Sequence, residues 1–255
     1  MSALGADSVL AAFLLFCRIG ACLMLMPGFS SMRVPAQVRL YIAIAVTLAL
    51  TPLLVGYTRP MVAGASPLAL VALVAAELLT GALVGLLASF SFLALQFMAT
   101  AVATYVGFSI LPGIGVDAPE PEPALASMIT LAATLLFFVT DLHWEVLRAL
   151  VGTYAAMPVG GVFTIQPGLI QVADRLSETF FIALRLSGPF VVYGIILNLA
   201  IGITNKLTPQ IPVYFISIPF VLAGGLFLLL LTVKQILELF DVAFAGWIAG
   251  GGWLN

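Results

Sequence analysis

The chain has 255 residues, of which 63% are hydrophobic and only 8% are charged. Soluble globular domains carry roughly 25% charged residues, so this composition excludes an ordinary soluble protein and predicts a membrane protein. The net charge is −2, and the nine lysines and arginines are scattered without forming a run. This pattern excludes a basic surface that would bind nucleic acid.

The only two cysteines, Cys17 and Cys22, lie in one apolar stretch. A separation of five residues places them on different faces of a helix, and His143 is the only histidine in the chain. The spacing therefore favours small buried apolar side chains over a metal site, and we expect neither a metal nor a cofactor.

The first third of the chain predicts two apolar helices followed by a loop. The helices are expected over Val9–Met26 and Val38–Leu50. Helix-breaking residues then follow closely, and they predict a loop punctuated by Pro52, Gly56, Pro60, Gly64 and Pro67.

An unusually long apolar stretch runs from Leu68 to Val106, with no proline and with Glu77 as its only charge. A single helix of this length would extend about 58 Å at ~1.5 Å per residue. The hydrocarbon core of a bilayer is only ~30 Å thick. Two spans would leave almost no residues for a turn. Gly81 and Gly85 are the only residues before Ser89 at which the helix could break. A simple spanning topology therefore fits poorly.

The second half of the chain is predicted to form further helices, some apolar, some amphipathic and some interrupted by proline. An apolar helix is expected over Ala124–Val139, and a short amphipathic helix follows, with Asp141, Glu145 and Arg148 on one face and Trp144, Leu147 and Val151 on another. A long segment from Pro167 to Thr204 is expected to break at Gly188-Pro189. After a turn at 205–212, an apolar run over Val213–Leu231, interrupted by Pro219, leads into an amphipathic tail over Val233–Trp247.

About six apolar segments result, and the predicted fold class is all-α: kinked, membrane-protein-derived helical hairpins. The cations near the segment ends divide almost evenly between the two sides, so their distribution does not orient the chain. Over-long helices and many prolines indicate helices that pack against other protein more than against lipid.

Arg18 lies in the middle of an apolar segment, where an arginine costs about 2.5–3.5 kcal/mol on insertion scales. Glu77 is its natural opposite charge. Two interpretations stay open, a buried pair or snorkelling side chain on one hand and a residue at a subunit seam or channel wall on the other. The same two interpretations apply to Gln96, Asn198, Lys206 and Gln210, with Asn198 favoured as a hydrogen-bonding link between helices.

Residues 107–123 form a Gly/Pro-rich loop that ends in the acidic residues Asp117, Glu120 and Glu122. Connecting loops are usually polar, whereas this loop carries Phe108, Ile110, Leu111, Ile114 and Val116. Either it is a bland connector, or its apolar side chains close a pore by excluding water and ions.

Enzyme and transporter signals are weak. Gly107-Phe108-Ser109 with a distant His143 is faintly similar to intramembrane serine proteases, but Ile110 replaces the glycine expected there. The sequence contains no metal-ligand spacing, phosphate-binding loop or dinucleotide fingerprint. A secondary transporter would usually show several intramembrane charges and an internal repeat. We therefore expect no enzyme, and a stand-alone transporter is an alternative.

Several blocks, in chain order, resemble the FliR/SctT family of type III secretion export gates. The resemblance covers nearly the whole chain, and its blocks are specific only in combination. They are Arg18-Ile19-Gly20, Pro27-Gly28-Phe29, residues 34–52, the glycine-rich loop at 107–123, residues 141–161, and residues 205–231 with Pro209-Gln210 and Pro219. One departure from the family pattern is Asp117-Ala118-Pro119, which makes the acidic end of the loop longer than is usual in the family.

The resemblance implies one subunit of a helical, multi-subunit flagellar gate in the bacterial inner membrane, within the flagellar basal body. It implies FliP-like and FliQ-like gate subunits as partners, together with FlhB-like and FlhA-like export components and unfolded protein substrates. Within a single domain, residues 1–166 would be FliP-like and residues 167–255 FliQ-like. Many of the helices would sit above the bilayer plane, in agreement with the over-long stretch.

The same resemblance makes the loop at 107–123 the plug of a closed gate. Unfolded substrates would pass when the plug is displaced, with energy from other components of the machine. A virulence-type gate subunit is the alternative within the family. The expected plug residues are Gly107, Phe108, Ile110, Leu111, Pro112, Gly113, Ile114 and Gly115.

Overall fold

A computed structural model describes residues 2–31, 34–108, 123–160 and 165–249 of the chain. Within these ranges the chain forms seven helices and no strand, which confirms the predicted all-α class. Five of the helices are long and apolar enough to cross a membrane, and the consecutive pair α4–α5 would make a sixth. The helices are α1 (Ser2–Leu25), α2 (Ala36–Val62), α3 (Pro67–Val106), α4 (Ala124–Val139), α5 (Leu142–Ala156), α6 (Ile165–Leu207) and α7 (Val213–Ala249).

The sequence leaves open whether the stretch Leu68–Val106 is one long helix or two spans, and the structure has one uninterrupted helix there, α3, of 40 residues. Several other predicted elements are confirmed. Helix α4 has the expected bounds, and the predicted turn separates α6 from α7. Helix α5 is present as a short helix, although its buried face is Leu142, Val146 and Leu150, while Trp144 is 56% exposed.

Three predicted breaks are wrong, because the helices continue through their prolines. Helix α2 passes Pro52 and Pro60, where a loop was expected. Helix α6 passes Pro189. Helix α7 passes Pro219 and absorbs the amphipathic tail as well, so the two predicted C-terminal segments form one helix of 37 residues.

The continuation has a physical reason. A proline inside a helix removes one backbone hydrogen bond, whereas ending a helix leaves four C=O groups without an intrahelical partner. In apolar surroundings no water replaces those partners, so the single loss costs less than a break.

The described residues fall into two compact units, which we treat separately. Unit 1 contains the described residues within 1–90, 140–176 and 245–255, and unit 2 contains those within 91–139 and 177–244. In unit 2 the core is aromatic, with Phe92 edge-on to both Phe137 and Phe240, at 5.6 Å and 5.0 Å between ring centroids. These contacts join α3, α4 and α7 through ring geometries that aromatic pairs prefer.

In unit 1, helices α1 and α3 approach backbone to backbone. A Cβ atom at Gly81 would overlap the carbonyl of Arg18, and one at Gly85 would lie 2.6 Å from the carbonyl of Cys22. Glycines four residues apart on one helix face allow such close contact. The two glycines treated as weak points of the long stretch are therefore the residues on which α1 packs.

This contact yields a stability prediction. Gly81→Ala should destabilise the protein by about 1–3 kcal/mol, because the new methyl group must push two helix backbones apart. The matched control is Gly56→Ala in α2, where a Cβ would meet nothing within 4 Å. That control should be neutral or stabilise by about 0.5–1 kcal/mol. Unfolding of the full-length protein in mild detergent measures both, and equal midpoints for the two variants would contradict the close packing.

Candidate functional site

Arg18 and Glu77 form a buried ion pair in unit 1. Both side chains are 1% exposed. The guanidinium donates two parallel hydrogen bonds to the carboxylate, from Nε to Oε2 at 2.7 Å and from Nη2 to Oε1 at 2.8 Å. This two-bond geometry is the strongest that arginine and a carboxylate form, and it connects α1 with α3.

Helix α5 completes the environment of the guanidinium. Arg18 Nη1 donates to Thr153 Oγ1 at 3.1 Å, and Nη2 also donates to the Met157 carbonyl just beyond the helix, at 3.0 Å. The ring of Tyr154 lies 4.0 Å from the guanidinium carbon, within the range of a cation–π contact. We call Arg18, Glu77, Thr153, Tyr154 and the Met157 carbonyl the arginine hub.

The arginine hub is built to stabilise structure. These hydrogen bonds use four of the five N–H groups of the guanidinium, and one carboxylate balances its charge. A lone arginine in an apolar helix would be costly, whereas this one ties three helices together.

The other polar residues singled out in the sequence belong to unit 2. Gln96 is partly buried on α3, whereas Asn198, Lys206 and Gln210 are exposed. Asn198 Nδ2 donates to the Gly194 carbonyl of the same helix at 2.8 Å, and the link between helices expected at this residue stays a prediction. A place at a subunit seam stays a prediction for all four residues.

The predicted plug is only partly covered by the described residues. Gly107 and Phe108 are both partly buried. Gly107 takes a φ of +86°, a left-handed conformation that favours glycine, directly after the last residue of α3. The remaining plug residues lie outside the described ranges, and they are Ile110, Leu111, Pro112, Gly113, Ile114 and Gly115.

The cysteines behave as predicted from their surroundings, since Cys17 and Cys22 are both buried free thiols. No cluster of potential metal ligands occurs among the described residues. The serine of the weak protease signal, Ser109, lies outside the described ranges.

Sequence reasoning missed three members of the hub. Thr153, Tyr154 and the Met157 carbonyl have no motif that links them to an arginine far earlier in the chain. The spacing of Val146, Leu150 and Thr153 at i, i+4 and i+7 does mark the buried face of α5. This face, and not the face of Trp144, is the one by which α5 packs against the core.

Long apolar helices, a neutralised internal arginine and many exposed apolar side chains define the class of this protein: an all-helical integral membrane protein. Helix α7 shows the pattern most clearly, because only 6% of its most apolar stretch is buried within the chain. The chain matches the family described as "Bacterial export proteins, family 1" over residues 9–247.

The chain therefore belongs to this export family. It is 25% identical to the flagellar biosynthetic protein FliR of Caulobacter vibrioides over 231 residues, which cover 91% of each chain. It is 26% identical to the Escherichia coli protein of the same name over 212 residues, 83% of this chain and 80% of the relative. The Aquifex aeolicus protein of that name is 26% identical over 238 residues, 90% and 88% of the two chains. These relationships identify a membrane component of flagellar protein export.

The hub yields the second prediction. Arg18→Ala or Glu77→Ala should destabilise the protein by about 3–5 kcal/mol, because each leaves one buried charge without its partner. Exchange of the two residues, Arg18→Glu with Glu77→Arg, should recover part of the loss. Denaturation in mixed micelles measures the effect.

The chain offers a matched control in the exposed pair Arg148–Glu145, which has the same separation of 2.7 Å. Arg148→Ala should cost only about 0.2–1 kcal/mol, since water screens that pair. If Arg18→Ala were no more destabilising than Arg148→Ala, the hub would not hold unit 1 together.

Proposed function

We propose that this chain is a structural and gating subunit of the flagellar type III protein export channel. In this proposal the segment 107–123 closes the channel at rest and moves aside when an unfolded substrate passes. The proposal rests on membership of the export family, together with the composition of the segment. Apolar side chains on a glycine-rich backbone can fill a narrow pore and exclude water.

The role is passive. Arg18 and Glu77 neutralise each other, and they are the buried charges from which an ion pathway through α1 and α3 would have to be built. This observation disfavours a stand-alone secondary transporter, which needs ionisable groups free to bind its ions. We therefore propose that the chain has no enzymatic activity and that other components of the export machine supply the energy.

The partners in this proposal are the other gate subunits, similar to FliP and FliQ, and export components similar to FlhB and FlhA. Exposed apolar side chains support such an assembly. Phe215, Phe220 and Phe227 on α7 are between 63% and 74% exposed. The great length of α3, α6 and α7 also exceeds what a bilayer needs, at about 55–65 Å against ~30 Å. Helices of this kind fit an assembly in the inner membrane, at the flagellar basal body.

Deletion of Ile110–Val116 tests the proposed plug. The variant should make resting cells permeable to ions or small molecules, because the apolar seal is lost. Uptake of a membrane-potential dye and of a normally excluded small solute measures the leak.

A second variant separates the seal from a mere connector. Replacement of residues 110–116 by a Gly/Ser segment of equal length keeps the connection and removes the apolar side chains. It should leak as the deletion does. Cells that stay tight with both variants, and that export normally, would rule out the plug.

A further inference from the structure

The C-terminal end of α3 fits into notches in α6 and α7. At Gly194 of α6, a Cβ atom would overlap the ring of Tyr105. At Gly225 of α7, a Cβ atom would lie 2.6 Å from Cγ1 of Val106, nearer than real Cβ contacts come. Both glycines are buried, so each notch is filled by a side chain from the last turn of α3.

Next to the two notches, α6 and α7 are hydrogen-bonded to each other. Tyr193, the neighbour of Gly194, donates its hydroxyl to the Val221 carbonyl of α7 at 2.7 Å. A Cβ atom at Gly224 would lie 2.5 Å from that same hydroxyl oxygen. Helices α6 and α7 are thus joined to each other at the level where both receive α3.

That level coincides with the point at which the chain leaves α3. Val106 is the last residue of the helix, and the Gly107 N–H donates to the Thr104 carbonyl at 3.2 Å. Gly107 then reverses the sign of φ, to +86°. The place and direction of the departing chain therefore depend on how deeply Tyr105 and Val106 are seated.

We infer that Gly194 and Gly225 are positioning residues for export: by holding Tyr105 and Val106, they fix where the segment after α3 begins. The inference rests on the proposed function, because it predicts that an unseated α3 end misplaces that segment. The atoms that a new Cβ at Gly194 would meet are Cδ1, Cγ and Cβ of Tyr105, which lie near the backbone and not at the end of the side chain, so the ring cannot give way without a shift of Tyr105. In this inference Tyr105 and Val106 stay packed against the two glycines while substrate passes, so the end of α3 acts as a fixed anchor.

Gly194→Ala tests the anchor, and Gly202→Ala on the same helix is its matched control, because a Cβ at Gly202 meets nothing within 4 Å. At equal abundance in the membrane, Gly194→Ala should lower export by about tenfold and raise the resting leak, since overpacking forces Tyr105 outward. Gly202→Ala should do neither. Gly225→Ala should behave as Gly194→Ala does.

A double variant distinguishes a positioning role of Gly194 from a general effect on folding. Tyr105→Ala shortens the side chain that fills the notch, so the double variant Tyr105→Ala/Gly194→Ala should export at the level of Tyr105→Ala alone. Export and leak are both normalised to inserted protein. The inference is overturned if Gly194→Ala matches Gly202→Ala, or if its export falls only in proportion to its abundance with no added leak.

The two proposals fail differently. If the Gly/Ser replacement of residues 110–116 leaks while Gly194→Ala matches its control, the plug stands and the anchor is wrong. If Gly194→Ala lowers export and raises the leak at equal abundance while the Gly/Ser replacement stays tight, the anchor stands and the apolar plug is wrong.

Discussion

In apolar surroundings each backbone N–H and C=O must find its partner inside the fold, because no water is present to replace it. The α-helix meets this requirement residue by residue, and α2, α6 and α7 therefore continue through Pro52, Pro189 and Pro219. Arg18 obeys the same rule with its side chain, which makes four hydrogen bonds to Glu77, Thr153 and the Met157 carbonyl. Without those bonds, the helix that carries Arg18 would be poorly suited to a membrane.

Close packing at glycines is the second feature on which the fold depends, because it lets helices approach until their polar groups can meet. In unit 1, Gly81 contacts the backbone of Arg18 itself, one turn of α3 away from Glu77. The close approach and the ion pair are therefore one contact, and a change in either weakens the other. In unit 2, Gly194 and Gly225 receive side chains of α3 in the same manner. One unit uses its glycines to bury a charge, and the other uses them to anchor the end of a helix.

Much of this could be read from the sequence, and the failures have physical causes. Composition predicts the membrane class, and the proline-free stretch Leu68–Val106 is identified as unusually long, although the sequence does not decide between one helix and two spans. Proline rules taken from water-soluble proteins wrongly ended α2 at Pro52, because there a broken helix is repaired by solvent. The opposite charges of Arg18 and Glu77 suggested a partnership, but the close approach at Gly81 that allows it is a tertiary fact. The part played by Tyr154 is not encoded in any local pattern. The proposed division at residue 166 stays a prediction.

A chain that leaves so much apolar surface uncovered must have that surface covered in the cell, and the proposed function assigns the covering to other proteins of the export gate. Phe220 on α7 is 74% exposed, whereas Phe190 on α6 is fully buried. A photoreactive phenylalanine analogue placed at each position in living cells, followed by mass spectrometry of the adducts, measures the covering directly. We expect adducts between Phe220 and a second polypeptide, and adducts within the chain alone from Phe190. Adducts of Phe220 with lipid only would contradict it.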